Sequence, residues 1–516
     1  MARAARARFV LSAVACAAAL LGAHARAQSY RLSKPGAPDV RRFEVSPDGR
    51  WAVYGAGFLH SVDVLGGSPP LRLDQRPVAE GVLLSSDSRR VVYDVSPAFG
   101  LHSVPIDGSA PPVALGLQGS AKITPDGRTV VVQGFGLAAV PIDASAEPID
   151  LVSSTRIVGF VLTPDSRAVV YVVEGAFAGG GLVFAAALDG SSPPRQLNSN
   201  ATIAATGDDF LLITPDSRHL VYRRGAHGSV GRLFSVPLDG SRPPVQLSLG
   251  TTSVAWFSQI MPSITEDGTV VFKHDLFDSL VLAVPADGSR PALPLSPGLG
   301  GIGLDYQPTP DGRRVLFHFT TGFSSDENEL YSVPTDASAP PIALSAAVGG
   351  EERAVFFELD PQGRRAAFLG RSSSTLPYTL WTVPVDGSSP PLAVADATET
   401  PLGRDFGLDF TSDGRTIVYT TVRFGAASFE LEDAQLSLFA VPADGSAAPV
   451  RLDGPMVRGG SVRFTRFRPD GVTGGIVFRL AANGKRVLYL ADQREDEQFE
   501  LFAAPLPARG PSARPR

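Results

Sequence analysis

Cysteine occurs once in 516 residues, histidine seven times and lysine four times. The cysteine, Cys16, lies in an N-terminal apolar stretch, so the chain beyond it has no thiol for a disulfide, a thiolate metal site or a cysteine nucleophile. Long apolar runs are equally scarce. The stretch from Phe9 to Gly22 is too short to span a bilayer comfortably, and no later run matches it. Helical periodicity of any length is absent after the N-terminus. No Gly-x-Ser-x-Gly nucleophile elbow is present. Gly298-Leu299-Gly300-Gly301-Ile302-Gly303 matches a dinucleotide fingerprint as a string, but it lies between strand-like units with no crossover helix. The formal charge is −6, a poor match to nucleic acid, which calls for a basic stripe.

The N-terminus reads as an export signal. Arg3, Arg6 and Arg8 precede the apolar run, and Ala25-Arg26-Ala27 offers a cleavage site before Gln28. Lipid attachment at Cys16 is disfavoured, because Ala13-Val14-Ala15 is a poor lipobox and the apolar run continues past the cysteine. Loss of residues 1–27 would take the formal charge to −10, since four arginines and no acids leave with them. The expectation is a periplasmic or secreted protein without a transmembrane segment. Residues 1–27 are the signal peptide, 28–507 the folded unit and 508–516, rich in Pro, Arg and Ser, a disordered tail.

What the chain has in abundance is turns. Two motifs alternate ten times. The first is Thr124-Pro125-Asp126-Gly127-Arg128 and its relatives, centred on Asp48, Asp87, Asp165, Asp216, Asp267, Asp311, Gln362, Asp413 and Asn483. Proline presets φ, aspartate suits the third place, and glycine takes the left-handed conformation that a Cβ disfavours. The second is typified by Val104-Pro105-Ile106-Asp107-Gly108-Ser109, with the Asp-Gly of a hairpin. Between them run β-branched and aromatic residues such as Arg90-Val91-Val92-Tyr93. Successive first turns lie 39, 39, 39, 51, 51, 44, 51, 51 and 70 residues apart. Two hairpins per unit make four strands, and units of this length are propeller blades.

The ends complement each other. The last unit stops at Leu501-Phe502-Ala503-Ala504-Pro505-Leu506 without an outer strand. The chain begins with Tyr30-Arg31-Leu32-Ser33, which resembles the outer strands Leu71-Arg72-Leu73-Asp74 and Val245-Gln246-Leu247-Ser248. The expected fold is therefore all-β: one ring of about ten four-stranded blades, closed by Ser29–Leu32. Two packed propellers are the alternative.

Both turn motifs should share one face of the disc, leaving the variable connections on the other. Those connections are longest in units four to nine, where binding is expected. Trp256 and Phe257 are a candidate aromatic anchor. Asp326, Glu327 and Glu329 form an acidic loop cluster, and Asp305 with Tyr306 and Arg404 with Asp405 precede inner strands at the channel mouth. No metal or cofactor is expected: His60 and His102 occupy a slot that other units fill with an aromatic residue. His274 and His318 are a weak pair with no carboxylate partner.

The run Thr214-Pro215-Asp216-Ser217-Arg218-His219-Leu220-Val221-Tyr222 resembles the TolB-type, WD-like propeller repeat, as does Glu329-Leu330-Tyr331-Ser332-Val333-Pro334. The resemblance covers nearly all of residues 28–507 and implies the fold. The functional reading preferred beside it is a non-enzymatic, monomeric exported scaffold that binds a protein or cell-envelope component. A propeller lyase or hydrolase, and a regulatory partner of a separate peptidase, are the alternatives.

Overall fold

The computed structural model describes residues 28–36, 38–78, 81–95, 100–153, 156–174, 181–198, 211–224, 231–248, 262–274, 280–296, 302–320, 328–349, 354, 356–371, 378–398, 407–423, 435–457, 460–467, 473–476, 478–481, 484–495 and 498–507. Their strands form ten four-stranded antiparallel sheets in a ring. Blade 1 runs from axis to rim as Phe43–Val45, Trp51–Ala56, Phe58–Asp63 and Leu71–Pro77. The inner strands of blades 2 to 9 are Val82–Leu84, Ser120–Ile123, Ile157–Leu162, Leu211–Ile213, Ser263–Ile264, Ile302–Pro308, Phe356–Leu359 and Leu408–Phe410. Among the described residues the only helical turn is Ala346–Val348.

Each blade is folded by its turns. Thr124 Oγ1 donates to Asp126 Oδ1 (2.6 Å) and accepts the Thr129 N–H (3.0 Å), while Asp126 Oδ1 accepts the Arg128 N–H (3.1 Å). Gly127 closes the turn at φ 75°. In the second turn Asp107 Oδ1 accepts the Ser109 N–H at 3.0 Å. Hydroxyl, carboxylate and glycine thus satisfy the backbone groups that a two-strand reversal leaves unpaired.

The blades adhere through apolar clusters that bridge consecutive sheets all the way round. Leu59, Tyr93 and Val104 join blades 1 and 2; Leu316, Leu330 and Phe357 join 7 and 8; Phe43, Tyr54, Leu490 and Leu501 join 10 and 1. Inside blades an aromatic residue of the second strand stacks on the third, as in Tyr171–Phe184, Phe317–Tyr331, Phe368–Trp381 and Tyr489–Phe502. His60 stacks on Tyr54 (5.2 Å between ring centres) and His102 lies against Tyr93 (6.1 Å), so these histidines fill the aromatic slot.

The ring closes through its N-terminal strand. Blade 10 comprises Phe478–Leu480, Arg486–Ala491 and Glu500–Pro505, and Tyr30–Arg31 pairs with the last of these as the outer strand. The Leu32 N–H donates to the Leu501 carbonyl (2.8 Å), and Ser33 Oγ accepts the Leu501 N–H (3.2 Å). Ser248, Ser296 and Ser345 make the same hydroxyl bond in other blades, at 3.2, 3.0 and 2.9 Å. Arg31 bonds Glu500 at 2.6 Å, and Asp39 accepts from Arg463 Nη1 (3.1 Å) and the Phe499 N–H (3.0 Å). The 70-residue final spacing has a separate cause: a hairpin of Phe464–Phe467 and Thr473–Ile476 is inserted before blade 10.

Candidate functional site on the loop face

The two faces of the disc differ in kind. On the turn face, hydrogen bonds tie blade to blade: Ser88, Ser166 and Ser217 hydroxyls accept the N–H of Asp48, Asp126 and Asp165 at 2.9, 3.0 and 3.0 Å. Each of these serines sits at φ near +60°, so the hydroxyl bond offsets a conformation that glycine would hold more cheaply. Both turn families meet here, with Asp48, Asp87, Asp107, Arg128 and Asp143 along one groove. Side-chain and backbone hydrogen bonds from Ser109 and Ser145 hold Asp107 and Asp143 below the usual carboxylate range. These carboxylates are engaged in their own turns.

On the opposite face a cavity of about 690 Å³ opens among blades 1, 2 and 3, a volume suited to a small ligand or part of a peptide. Its apolar lining includes Phe43, Val82, Leu83 and Leu101, and its charged groups are Asp39, Arg41, Arg42, Glu44 and Asp94. Beneath it a polar network fixes the wall. Tyr93 Oη donates to Asp74 Oδ2 (2.5 Å), Arg76 Nη2 donates to the same oxygen (2.7 Å), and Arg76 Nη1 donates to His102 Nε2 (2.8 Å). An arginine can only donate, so His102 carries its proton on Nδ1, facing the Gly100 carbonyl at 3.0 Å. Burial alone would raise Asp74, but hydrogen bonds from Arg76 and Tyr93 and the arginine's charge outweigh it and hold the carboxyl at about 2.

The channel wall is charged on one side. Two places before each turn, at matching register, stand Glu358, Asp409, Arg479 and Glu44 in blades 8, 9, 10 and 1. Leu83, Val161 and Leu212 hold the place in blades 2, 4 and 5. Burial pushes the Glu44 carboxyl up, against the pull of Arg479 and Arg42. In blade 3, Lys122 Nζ reaches across to the Phe160 carbonyl of blade 4 at 2.8 Å.

Beside the cavity, Phe135 is 100% exposed. It tips a Gly134-Phe135-Gly136 hairpin whose strands pair Gln133 with Leu137, and Gln133 in turn opposes Ser120, which lines the cavity. Gly136 is required: a Cβ there would collide with the Val152 carbonyl oxygen. Of the seven other large apolar side chains exposed among the described residues, all but Leu65 and Leu293 pack on a turn. Leu71, Ile149, Val245, Ile342 and Leu392 each cover the turn glycine of the following blade. No such packing accounts for Phe135.

Of the residues expected from sequence, Trp256, Phe257, Asp326, Glu327, Arg404 and Asp405 lie outside the described residues. Asp305 and Tyr306 fall within the inner strand of blade 7 rather than before it, because that strand begins at Ile302 and carries a bulge between Gly303 and Asp305. Tyr306 is buried, its hydroxyl donating to the Val271 carbonyl at 3.2 Å. Asp305 pulls on the charge of Lys273, whose pKa burial lowers. Glu329 lies in the strand Asn328–Pro334 and accepts from Tyr331 Oη at 3.2 Å. His318 is buried with Nε2 against the Ala354 carbonyl, and the side chain of His274 lies outside the described set. Among the described residues no three His, Cys, Asp or Glu side chains converge as a metal site would need, and no helix is long and apolar enough to cross a membrane. Sequence reasoning missed Phe135 and Asp94; the signal for the first was an aromatic residue between two glycines at a hairpin tip.

Topology and closure define the class: a ten-bladed β-propeller. No protein-family profile matches the chain, and no curated protein does. Among solved structures it is similar to a eukaryotic initiation factor at 12% identity, over 70% of this chain and 89% of that one, with a TM-score of 0.47. It is similar to an oligogalacturonate lyase in complex with manganese at 13% identity, over 93% of each chain, with a TM-score of 0.36. A putative TolB from Agrobacterium tumefaciens matches at 14% identity, over 70% of this chain and 95% of that one, with a TM-score of 0.25. At these scores the likeness does not reach individual residues.

Proposed function

We propose that this chain is an exported, non-enzymatic propeller, periplasmic or secreted, that holds a protein or cell-envelope component on its loop face. One observation carries the reading: the cavity of about 690 Å³ opens on that face beside a fully exposed phenylalanine. Aromatic anchors next to a pocket are the usual centre of a protein interface. The turn face supports the same division of labour, since its polar groups are engaged in holding blades together. The chain between Gln246 and Ser263 joins an outer strand to the next inner strand and contains Trp256 and Phe257. We include both in the proposed face, with Asp326, Glu327, Arg404 and Asp405. The test is a photo-crosslinking residue placed at position 135 or at position 109, with the protein expressed in its native host. A discrete adduct at 135 and none at 109 is expected; an adduct at 109 alone would overturn the reading.

A further inference from the structure

We propose that the cavity among blades 1, 2 and 3 receives the basic side chain of a peptide segment, whose ammonium or guanidinium group donates to Asp94. The inference rests on the loop-face reading and names what that face selects. It follows from the charges inside the cavity. Asp39 is taken up by Arg463 and the Phe499 N–H, at 3.1 and 3.0 Å. Arg41 lies 4.0 Å from Asp39. Glu44 is balanced by Arg42 and Arg479. Asp94 remains: it lines the cavity, its Oδ1 is buried, and that oxygen has no hydrogen-bond partner. Oδ1 is shut off from water in the free protein, so the carboxylate must rotate to turn it toward the cavity, where a ligand's ammonium or guanidinium group supplies the donor it lacks.

The rest of the lining fits the stem of such a side chain. Val82, Leu83 and Leu101 are apolar, and Asp94 pairs with Leu101 at the loop-face end of its strand. A lysine or arginine carries a polar head on an apolar stem, which matches a charged end wall reached past apolar sides. A free amine would fill the cavity but leave Phe135 bare. A peptide segment reaches both, with the basic side chain inserted and an apolar neighbour on the exposed ring. That favours a protein segment over a small amine.

The test uses the full folded chain and pools of nine-residue peptides with a fixed central Arg, Lys, citrulline, norleucine or Glu, titrated by fluorescence anisotropy, with agmatine as the free-amine probe. The Arg and Lys pools should bind at least tenfold tighter than the citrulline and norleucine pools, and tighter than agmatine. Asp94→Asn should abolish that preference, Asp94→Glu should keep part of it, and Phe135→Ser should weaken all peptide pools by a similar factor. Unchanged thermal unfolding confirms that each variant is folded. Equal binding of citrulline and Arg pools, undiminished Arg binding by Asp94→Asn, tighter binding of the Glu pool or agmatine, or no peptide binding at millimolar concentration would each overturn the proposal. The two ideas fail separately. A partner that crosslinks at 135 yet binds Asp94→Asn normally removes the assignment to Asp94 and leaves the loop-face reading standing.

Discussion

Closure by the N-terminal strand should be worth several kcal/mol to the whole ring, and Leu32 is where to measure it. Its side chain is 2% exposed and packs in the cluster of Val40, Phe43, Tyr54, Leu490 and Leu501 that joins the last blade to the first. Truncating a buried leucine to alanine costs about 2–5 kcal/mol, according to how far the site collapses. The cluster draws on three separate chain segments, which limits collapse, so Leu32→Ala should cost about 3 kcal/mol. Ser33→Ala strips the Leu501 N–H of its hydroxyl acceptor (3.2 Å) and should cost about 1 kcal/mol. The assay is urea unfolding followed separately in variants that retain only Trp51, in blade 1, or only Trp381, in blade 8. If closure makes the ring cooperative, Leu32→Ala lowers both midpoints together. Deletion of residues 28–33 should cost at least as much as Leu32→Ala and expose the Leu501 and Ala503 amides, which face the outer strand, to hydrogen exchange. A cost below about 0.5 kcal/mol for Leu32→Ala, with those amides still protected after the deletion, would refute the closure.

Three further outcomes follow from the geometry. Asp74, held at about 2 in the folded protein against roughly 3.9 in an unfolded chain, stabilises above pH 4 and loses that contribution as pH falls toward 2. Asp74→Asn should therefore lower the urea midpoint at pH 7, by on the order of 1 kcal/mol with its half-exposed partner Arg76 screened by water, and the gap should close at low pH. Glu44 has the opposite sign: its raised pKa means that the folded state holds the proton longer, so stability falls as pH rises from the unfolded value through the folded one. Glu44→Gln should match the wild type near pH 4 and exceed it at pH 7.5; a less stable variant at pH 7.5 would contradict this. At Ser88, Ala should cost about 1 kcal/mol by removing the acceptor for the Asp48 N–H while keeping the φ of 62°. Gly loses the same bond but relieves the backbone, so thermal unfolding should place Ser88→Gly near the wild type and above Ser88→Ala.

The scaffold was readable in the sequence because its constraints are local. A Thr-Pro-Asp-Gly turn dictates its own hydrogen bonds, and ten copies dictate a ring. Even the long-range closure had a local trace, in the Leu32-Ser33 pair that repeats Leu247-Ser248. The site was less readable. Asp305 and Tyr306 look like loop residues until a bulge at Gly303 draws them into a strand, and bulges leave little trace in side-chain pattern. Asp94 reads as an ordinary polar strand end. Only the approach of blades 1 and 3 to blade 2 makes it part of a cavity wall, and no spacing within one repeat encodes that. Phe135 was hidden by the brevity of its hairpin: length marks variable loops, whereas here a three-residue tip projects the most exposed aromatic side chain among the described residues. The 70-residue spacing was visible as a departure, but the sequence between the strands of its hairpin, Arg468-Pro469-Asp470-Gly471-Val472, repeats the Pro-Asp-Gly of the blade turns and differs only in lacking their opening Ser or Thr.

The central claim is that the loop face binds and the turn face holds the ring together. It is tested most directly by measuring the affinity of the purified crosslinked partner for two variants in parallel, Phe135→Ser on one face and Ser109→Tyr on the other. The account predicts at least tenfold weaker binding, about 1.4 kcal/mol, for Phe135→Ser and an unchanged dissociation constant for Ser109→Tyr. Weakened binding by Ser109→Tyr with Phe135→Ser unaffected would place the interface on the wrong side of the disc and contradict it.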